Sequence, residues 1–495
     1  MSPQPTTQQH QAIELALQGQ SFKVVAYAGT GKTTTLRMLS AAMVQRRGMY
    51  LAFNKAIADE AAQKFHSNVT CRTFHSLAYR QTPRELTDKL RLPRLSPAFL
   101  AQDYALQPQQ VRRLMGGRYE KYTLMPSRLA SLIVNAIGYF CSTSSQYPAP
   151  RHIQAPEWLH SDDVAPLQQY LYPFLERRWL ESLDPRHQAG IGHDIYLKSW
   201  AMSEPQIPSD YILFDEAQDA DPIMLGILMK QRNTQVIYVG DAHQQIYAWR
   251  GAVNAMQRLP LPESRLTTSF RFGSAIAEQA NILLSALGER VPLLGHPERS
   301  SKIVTAQAQQ PNAILCRTNA RAMELLIAGL VKGDQAALQA DYAKLTRFVT
   351  AAERLKQGKS CLDVPELAWF SSWHDVHEYC ETHEGNDLKS LVKLVDDHGT
   401  QQLQRALTKA ANASNAKYII STAHKAKGLE WDHVALEDDY QFKLSQHGHK
   451  IEAEELRLLY VACTRAKVSL NNHHIYALQQ QLKQQMPESM RKVVG

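Results

Sequence analysis

The sequence predicts an α/β protein built on two parallel sheets, each interrupted by a mostly helical insertion. Three observations predict it. First, the short apolar runs FKVVAYA, MYLAF, YILF and VIYV in the first half, and AILC, YIIS and HVAL in the second, end in small, polar or charged residues and lead into helix-like stretches. That is the pattern of buried parallel strands alternating with helices. Second, 495 residues exceed what one hydrophobic core usually supports. Third, two long stretches, 80–205 and 325–412, break the alternation and read as mostly helical. The expected division is therefore a first domain of 1–79 and 206–265 with the insertion 80–205, and a second of 266–324 and 413–495 with the insertion 325–412.

Composition narrows the class. No apolar run approaches the roughly 20 residues that span a bilayer, and MSPQPTTQQHQAIELALQGQ lacks the basic start and apolar centre of a secretion signal. A cytoplasmic protein is expected. Cys71, Cys141, Cys316, Cys361, Cys380 and Cys463 are scattered without metal-ligand spacing, so free thiols are expected rather than disulfides or zinc. The net charge of +8 permits a polyanionic partner. Between Arg80 and Arg128 ten Lys or Arg face four acids, so most of the excess lies in one tenth of the chain. Such a run is either a nucleic-acid contact or a solvated surface.

The first run leads into AYAGTGKTTTL and then a helix-like segment. A glycine-containing strand-to-helix loop exposes backbone N–H groups at a helix N-terminus, which favours phosphate oxygens. Ala28, Gly29, Thr30, Gly31, Lys32, Thr33 and Thr34 form this candidate nucleotide cradle. Lys32 would reach the β and γ phosphates of ATP, and Thr33 would ligate Mg²⁺. YILFDEAQD delivers Asp215 and Glu216 to a strand end, where Asp215 would hold the metal and Glu216 act as general base. Next, VIYVGDAHQQIYAWRGA places an acid, two glutamines, two aromatics and an arginine in one turn. Tyr247, Trp249 and Arg250 suit stacking on unspecified bases, worth about 1–3 kcal/mol per base, or else simple packing.

Together these segments resemble superfamily 1 helicases of the UvrD, Rep and PcrA type. The resemblance implies two RecA-like domains of the P-loop NTPase class, with ATP and Mg²⁺ in the cleft between them. It implies that Gln244 senses the γ-phosphate and Trp249 stacks on single-stranded DNA. PTTQQHQAI resembles the Q motif, placing Gln9 at the adenine edge. LAFNKAIADEA and TFHSLA resemble DNA-contacting motifs, giving Asn54, Lys55, Thr73 and His75; the family's phenylalanine position is Ala52 here, with Phe53 displaced by one. LTTSFRFGSAIAEQAN resembles motif IV, with Phe270 as an adenine stack and Arg271 facing the γ-phosphate. STAHKAKGLEWDHVAL resembles motif V, with Gly428 and Glu430 near nucleotide and His424 on the DNA side. EELRLLYVACTRAK resembles motif VI, with Arg465 as the second arginine.

The wording of YVACTRA, AHKAKGLEWD and HDIYLKSW is similar to the F-box DNA helicase branch; no F-box is expected before Gln9, and a free-standing prokaryotic or phage relative is expected. No fused nuclease is expected after Lys467. The expected function is an ATP-driven DNA translocase and helicase moving 3′ to 5′ on single strands or tailed duplexes, a monomer when free, that unwinds DNA or displaces bound proteins in repair or recombination. A recombinase or repair protein is a candidate partner. Two alternatives stay open: a nucleotide-gated DNA-binding subunit controlling a nuclease or effector, and an RNA helicase.

Overall fold

The computed structural model describes residues 4–491 apart from 53–54, 94, 96, 116, 157, 248–252, 306–310, 340–341, 362, 365, 369, 381–385, 411–414, 446–447 and 489. In the first half, β1 (Phe22–Ala26), β2 (Gly48–Ala52) and β3 (Val69–Thr73) precede a hairpin of β4 (Gln109–Met115) and β5 (Arg118–Leu124). β6 (Tyr211–Phe214), β7 (Gln235–Gly240) and β8 (Glu263–Leu266) follow. Six of these form one parallel sheet in the order β3-β2-β6-β7-β1-β8. The central β6 and β7 are buried along their whole length, because helices cover both faces and leave no solvated side for alternation.

The second half repeats the plan. β9 (Lys302–Val304), β10 (Ala313–Cys316), β11 (Ala336–Gln339), β12 (Tyr418–Thr422), β13 (Trp431–Leu436) and β16 (Ala466–Asn471) form a second six-stranded sheet in the order β11-β12-β10-β13-β16-β9; β14 (Lys443–Ser445) and β15 (Gly448–Lys450) make a separate hairpin. Every neighbouring pair in this second sheet is parallel. Two parallel α/β sheets, the architecture of RecA-like domains, thus form the frame.

Both long interruptions contain more than helix. The charge-rich part of 80–205 folds as the antiparallel β4-β5 hairpin, and the stretch from 325 supplies β11, which pairs with β12 as an edge of the second sheet. Helix formation elsewhere follows ordinary rules. Pro126–Ser142 starts with proline in its first turn and buries Leu129, Leu132, Ile133, Ala136, Ile137 and Phe140 on one face. At its other end Lys198 Nζ donates to the carbonyls of Thr143 and Ser145 at 2.7 and 2.6 Å, satisfying the chain just past the last turn. This helix shares one hydrophobic cluster with Met49, Leu51, Ile212 and Phe214 of the first sheet, so the insertion has no core of its own. Helices Tyr342–Lys356, Trp373–Cys380 and Asn386–Lys409 likewise share a cluster with Met323, Leu338 and Ile420. The six cysteines are free.

Two tests of this packing follow from single residues. A Cβ on Gly48 would lie 2.4 Å from Tyr211 Cζ on the neighbouring strand, and the Tyr211 hydroxyl is held by Asn68 Nδ2 at 3.0 Å and cannot retreat freely. Gly48→Ala should therefore cost about 1–3 kcal/mol in denaturant unfolding; an unchanged midpoint would show that the ring has room to move. Asp221 caps helix Pro222–Met229 by accepting from Met224 N at 2.7 Å. Burial, reinforced by Asp194, pushes its carboxyl up to about 6 against the opposing pull of the cap and His75. A raised acid favours folding only while protonated, so this contribution fades as pH climbs from about 4 to 6. Asn keeps the cap without the charge. Asp221→Asn should stabilise the fold at pH 7.5 by roughly 1 kcal/mol, with the gain shrinking toward pH 5; a pH-independent difference would count against the buried carboxylate.

Candidate nucleotide site and nucleic-acid face

Residues 27–31 leave β1 in a tight loop. Thr30 Oγ1 donates to Tyr27 O at 2.9 Å, and Gly29 and Gly31 take φ of +74° and +79°, a region that favours glycine. Gly31 caps helix Lys32–Ala42 and offers no side chain, so no side-chain cap occupies its first-turn N–H groups. Such an uncapped N-terminus is where an anion binds. Gln9 stands beside it: Oε1 accepts from Thr6 N at 2.9 Å in a capping box, and Nε2 donates to Thr35 Oγ1 at 3.1 Å. A Cβ on Gly31 would be 3.4 Å from the Phe270 ring and 3.8 Å from Gln9 Nε2, so the two residues expected around adenine lie at one side of the loop. Phe270 is partly exposed and its ring centroid is 5.5 Å from that of His296.

The parallel sheet brings the other groups to the same edge. Asp215 and Glu216 follow β6, and Asp241 and Gln244 follow β7. Asp215 accepts from Tyr50 Oη and Glu216 N, each at 2.9 Å. Burial, then repulsion from Glu216, lifts its carboxyl to about 6 although Lys32 pulls the other way. Glu216 has φ +52°, a left-handed backbone costly for a residue with a side chain. Burial would raise its carboxyl, but Lys32, Lys427, the Gln218 amide and Arg465 outweigh it and hold the group at about 2. Burial thus acts against both carboxylates, and Lys32 opposes it at each.

The second lobe supplies cations. Arg271, on the segment leaving β8, donates from Nε to Glu430 at 2.7 Å and from Nη1 to Thr464 O at 2.8 Å. Arg465 is buried, and its partners among the described residues are neutral oxygens of Val461, Leu429 and Thr464. Burial, and secondarily Arg271, pulls its guanidinium down to about 9, while Glu216 and Glu430 raise it. A buried cation without a carboxylate partner is a ready receptor for an anion. Gly428 has φ +86° in the turn before Glu430. Gln244 is buried and donates to Asp241 Oδ2 at 2.8 Å.

Two residues escaped the motif reading. Gln218 links Glu216 to the backbone of Asp241, its Oε1 accepting from Asp241 N at 3.0 Å. Lys427 pairs with Asp219 and donates to Gln244 O at 2.9 Å, tying the second lobe to the first. Both stand inside quoted motifs, DEAQD and AHKAKGLE, and that position was the available signal. A magnesium ion, which usually takes few protein ligands, would draw on Thr33 in the first turn of helix Lys32–Ala42 and on the buried Asp215; among the described residues no three His, Cys, Asp or Glu cluster into a dedicated metal cage.

On the nucleic-acid side, Phe53, Asn54, Trp249 and Arg250 lie outside the described residues. Lys55 opens helix Lys55–Lys64 after β2 and is exposed. Thr73 caps the helix after β3, accepting from Ser76 N, and His75 stands 3.7 Å from Asp194. Tyr247 donates to His424 O at 3.2 Å, so two of the candidates meet across the lobes. The basic segment is less available than its charge count implies. Lys89 is buried against the carbonyls of Glu181 and Asp184; Arg112 pairs with Asp162 and Asp163; Arg113 pairs with Glu120 and covers Tyr122. Tyr122 also packs on Trp158, which leaves Tyr119 as the exposed ring of that hairpin. Arg80, Arg91, Arg118 and Lys121 are exposed.

Residues 5–258 match the UvrD/REP helicase N-terminal domain and residues 334–473 the UvrD-like helicase C-terminal domain. F-box DNA helicase protein 1 of Schizosaccharomyces pombe is 31% identical over 509 residues, covering 94% of this chain and 57% of the relative. F-box DNA helicase 1 of Gallus gallus is 28% identical, covering 93% and 48%. ATP-dependent DNA helicase PcrA of Leuconostoc citreum is 24% identical over 294 residues, 54% of this chain and 38% of the relative. The chain spans about half the length of the first two relatives. With the N-terminal family match covering just over half of the chain and the first relative 31% identical over 94% of it, the chain belongs to the UvrD/REP helicase family.

Proposed function

We propose that the chain is an ATP-dependent DNA translocase and helicase that tracks 3′ to 5′ along single strands and opens tailed duplexes or displaces bound proteins during repair or recombination. One observation carries the reading: bonds from both lobes meet around Glu216, with the Gln218 amide joining it to the turn after β7, Lys427 of the second lobe bonding Asp219 and Gln244 O beside it, and Lys32, Lys427 and Arg465 favouring its charged form. A base that must accept a proton from the attacking water has to be charged beforehand, and here both lobes keep it so. Lys32, Arg271 and Arg465 would balance charge spreading over the transferred phosphoryl oxygens, an effect worth a factor of about 10³–10⁵ for such arginines. Gln244 would read the γ-phosphate, Gly428 and Glu430 would border the nucleotide, and Gln9, Phe270 and Thr34 would seat the base. Magnesium, when bound to Thr33 and Asp215, would neutralise the β and γ phosphates.

For the strand, Lys55, Thr73, His75, Tyr247 and His424, with Phe53, Asn54, Trp249 and Arg250 beside them in sequence, would supply stacking and backbone contacts without base readout. Direction rests on the resemblance of GDAHQQIYAWRGA to the 3′ to 5′ branch, and the relatives' printed names supply the DNA substrate. The protein would act in the cytoplasm on the nucleoid.

Glu216→Gln should bind ATP as tightly as wild type while its turnover falls by about 10²–10⁴. Retained hydrolysis would mean another group takes the proton. Strand separation should need a 3′ tail in wild type and be lost in the variant; preference for a 5′ tail would reverse the polarity. In the hairpin, Arg118→Glu with Lys121→Glu should flatten the dependence of log affinity on log salt by about 1–2. An unchanged slope would make that hairpin a solvated surface.

A further inference from the structure

Tyr460 lies on helix Ala453–Cys463 of the second lobe and is fully buried. Its hydroxyl touches two loops of the first lobe. It accepts from Ala28 N in the phosphate loop at 3.1 Å and donates to Asp241 Oδ2 at 3.0 Å. That same carboxylate oxygen receives the Gln244 amide at 2.8 Å, while Asp241 Oδ1 accepts from His243 N at 3.0 Å. Through Asp241 N and Gln218 the chain of bonds continues to Glu216. Arg465 follows five positions later, its Nε donating to Val461 O beside Tyr460.

We infer that Tyr460 is a positioning residue: it holds the Asp241–Gln244 turn in register with the phosphate loop only while the lobes are together, so the γ-phosphate sensor is assembled by closure. The inference rests on the proposed ATPase reading. Three considerations support it. A buried hydroxyl making one bond as acceptor and one as donor has a fixed orientation. Burial, and then Asp241, holds the phenol well above its ordinary range, so it stays a donor. Because both bonds cross between lobes, separation breaks them together and frees Asp241 and Gln244 to turn.

Replacing only the hydroxyl tests this. Tyr460→Phe keeps the ring and its packing, and should lower the kcat of single-strand-stimulated ATP hydrolysis by about tenfold to a hundredfold with KM for ATP within about threefold. Asp241→Asn, which preserves volume, should give the same split, and either change should cost little more in a Gln244→Ala background, because all three act through one amide. Wild-type kcat in both single variants, losses that multiply fully with Gln244→Ala, or a loss confined to KM would each overturn the inference. Wild-type hydrolysis that single-stranded DNA does not stimulate would instead remove the ATPase reading and this inference with it.

Discussion

Gly29 has no room for a side chain, and that constraint shapes the rest of the molecule. A Cβ there would sit 2.4 Å from Ser269 Oγ and 2.7 Å from Arg271 Cβ, and Phe270 N already donates to Gly29 O at 2.7 Å. The cause is topological. β8 lies parallel to β1 at the sheet edge, so the segment leaving β8 must pass over the loop leaving β1. The chain then enters the second lobe, where Phe272 packs in a cluster that also contains Tyr27, Ala28 and Ile246 of the first. Tyr27 and Ala28 of the phosphate loop thus pack in the second lobe's core while Ala26 just before them packs in the first's, so any rotation of one lobe against the other is felt at this loop.

Close packing at the loop makes the electrostatics of the cleft a property of both lobes. Charges removed from water are costly unless paired, and the molecule offsets that cost across the gap. Lys427 and Arg465 from the second lobe compensate Glu216, while Lys427 also meets Asp219, whose carboxyl burial would otherwise raise further than its value of about 6. Arg271 meets Glu430 within its own lobe and keeps Arg465 company as a like charge. The left-handed Glu216 fits the same logic: local backbone strain is tolerated where hydrogen bonds from Gln218 and the field of several cations determine one carboxylate position.

Legibility in the sequence followed burial. Of the interior strands, β1, β2, β6, β7, β10, β12 and β13 stand out as apolar runs, because a strand covered on both faces is written almost wholly in apolar residues, whereas β16, AKVSLN, is interior yet partly polar. The edges β3, β8, β9 and β11 do not. VTCRT, ESRL, KIV and AALQ carry polar or small residues where one side meets solvent, and their strand character comes from pairing with a neighbour that local sequence does not reveal. Missing AALQ hid the fact that the second sheet extends into the stretch expected to be helical. The hairpin QQVRRLM with RYEKYTL was hidden for a related reason, since its alternation is of charge and aromatic groups rather than of apolar and polar ones. Charge counting failed at Lys89 and Arg112, whose partners Glu181, Asp184 and Asp163 are some fifty to a hundred residues away. The site residues with family motifs were legible individually. Their joining through Tyr460, Gln218 and Lys427 was not, because a hydrogen-bond relay across two lobes leaves no local pattern.

That relay also bears on how nucleotide state could reach the strand. The turn after β7 is held from the second lobe at successive points: Tyr460 grips Asp241, Lys427 grips Gln244 O and lies 5.4 Å from the Tyr247 ring centroid, and His424 O accepts from Tyr247 Oη. Three gripping points within seven residues make the turn follow the second lobe as a unit rather than bend between them. A motion that alters the sensing amide at Gln244 must therefore alter Tyr247 as well, only three residues on. Coupling of this kind needs no long pathway through the protein, because the two functions sit on one short segment whose position is set by whether the lobes are in contact.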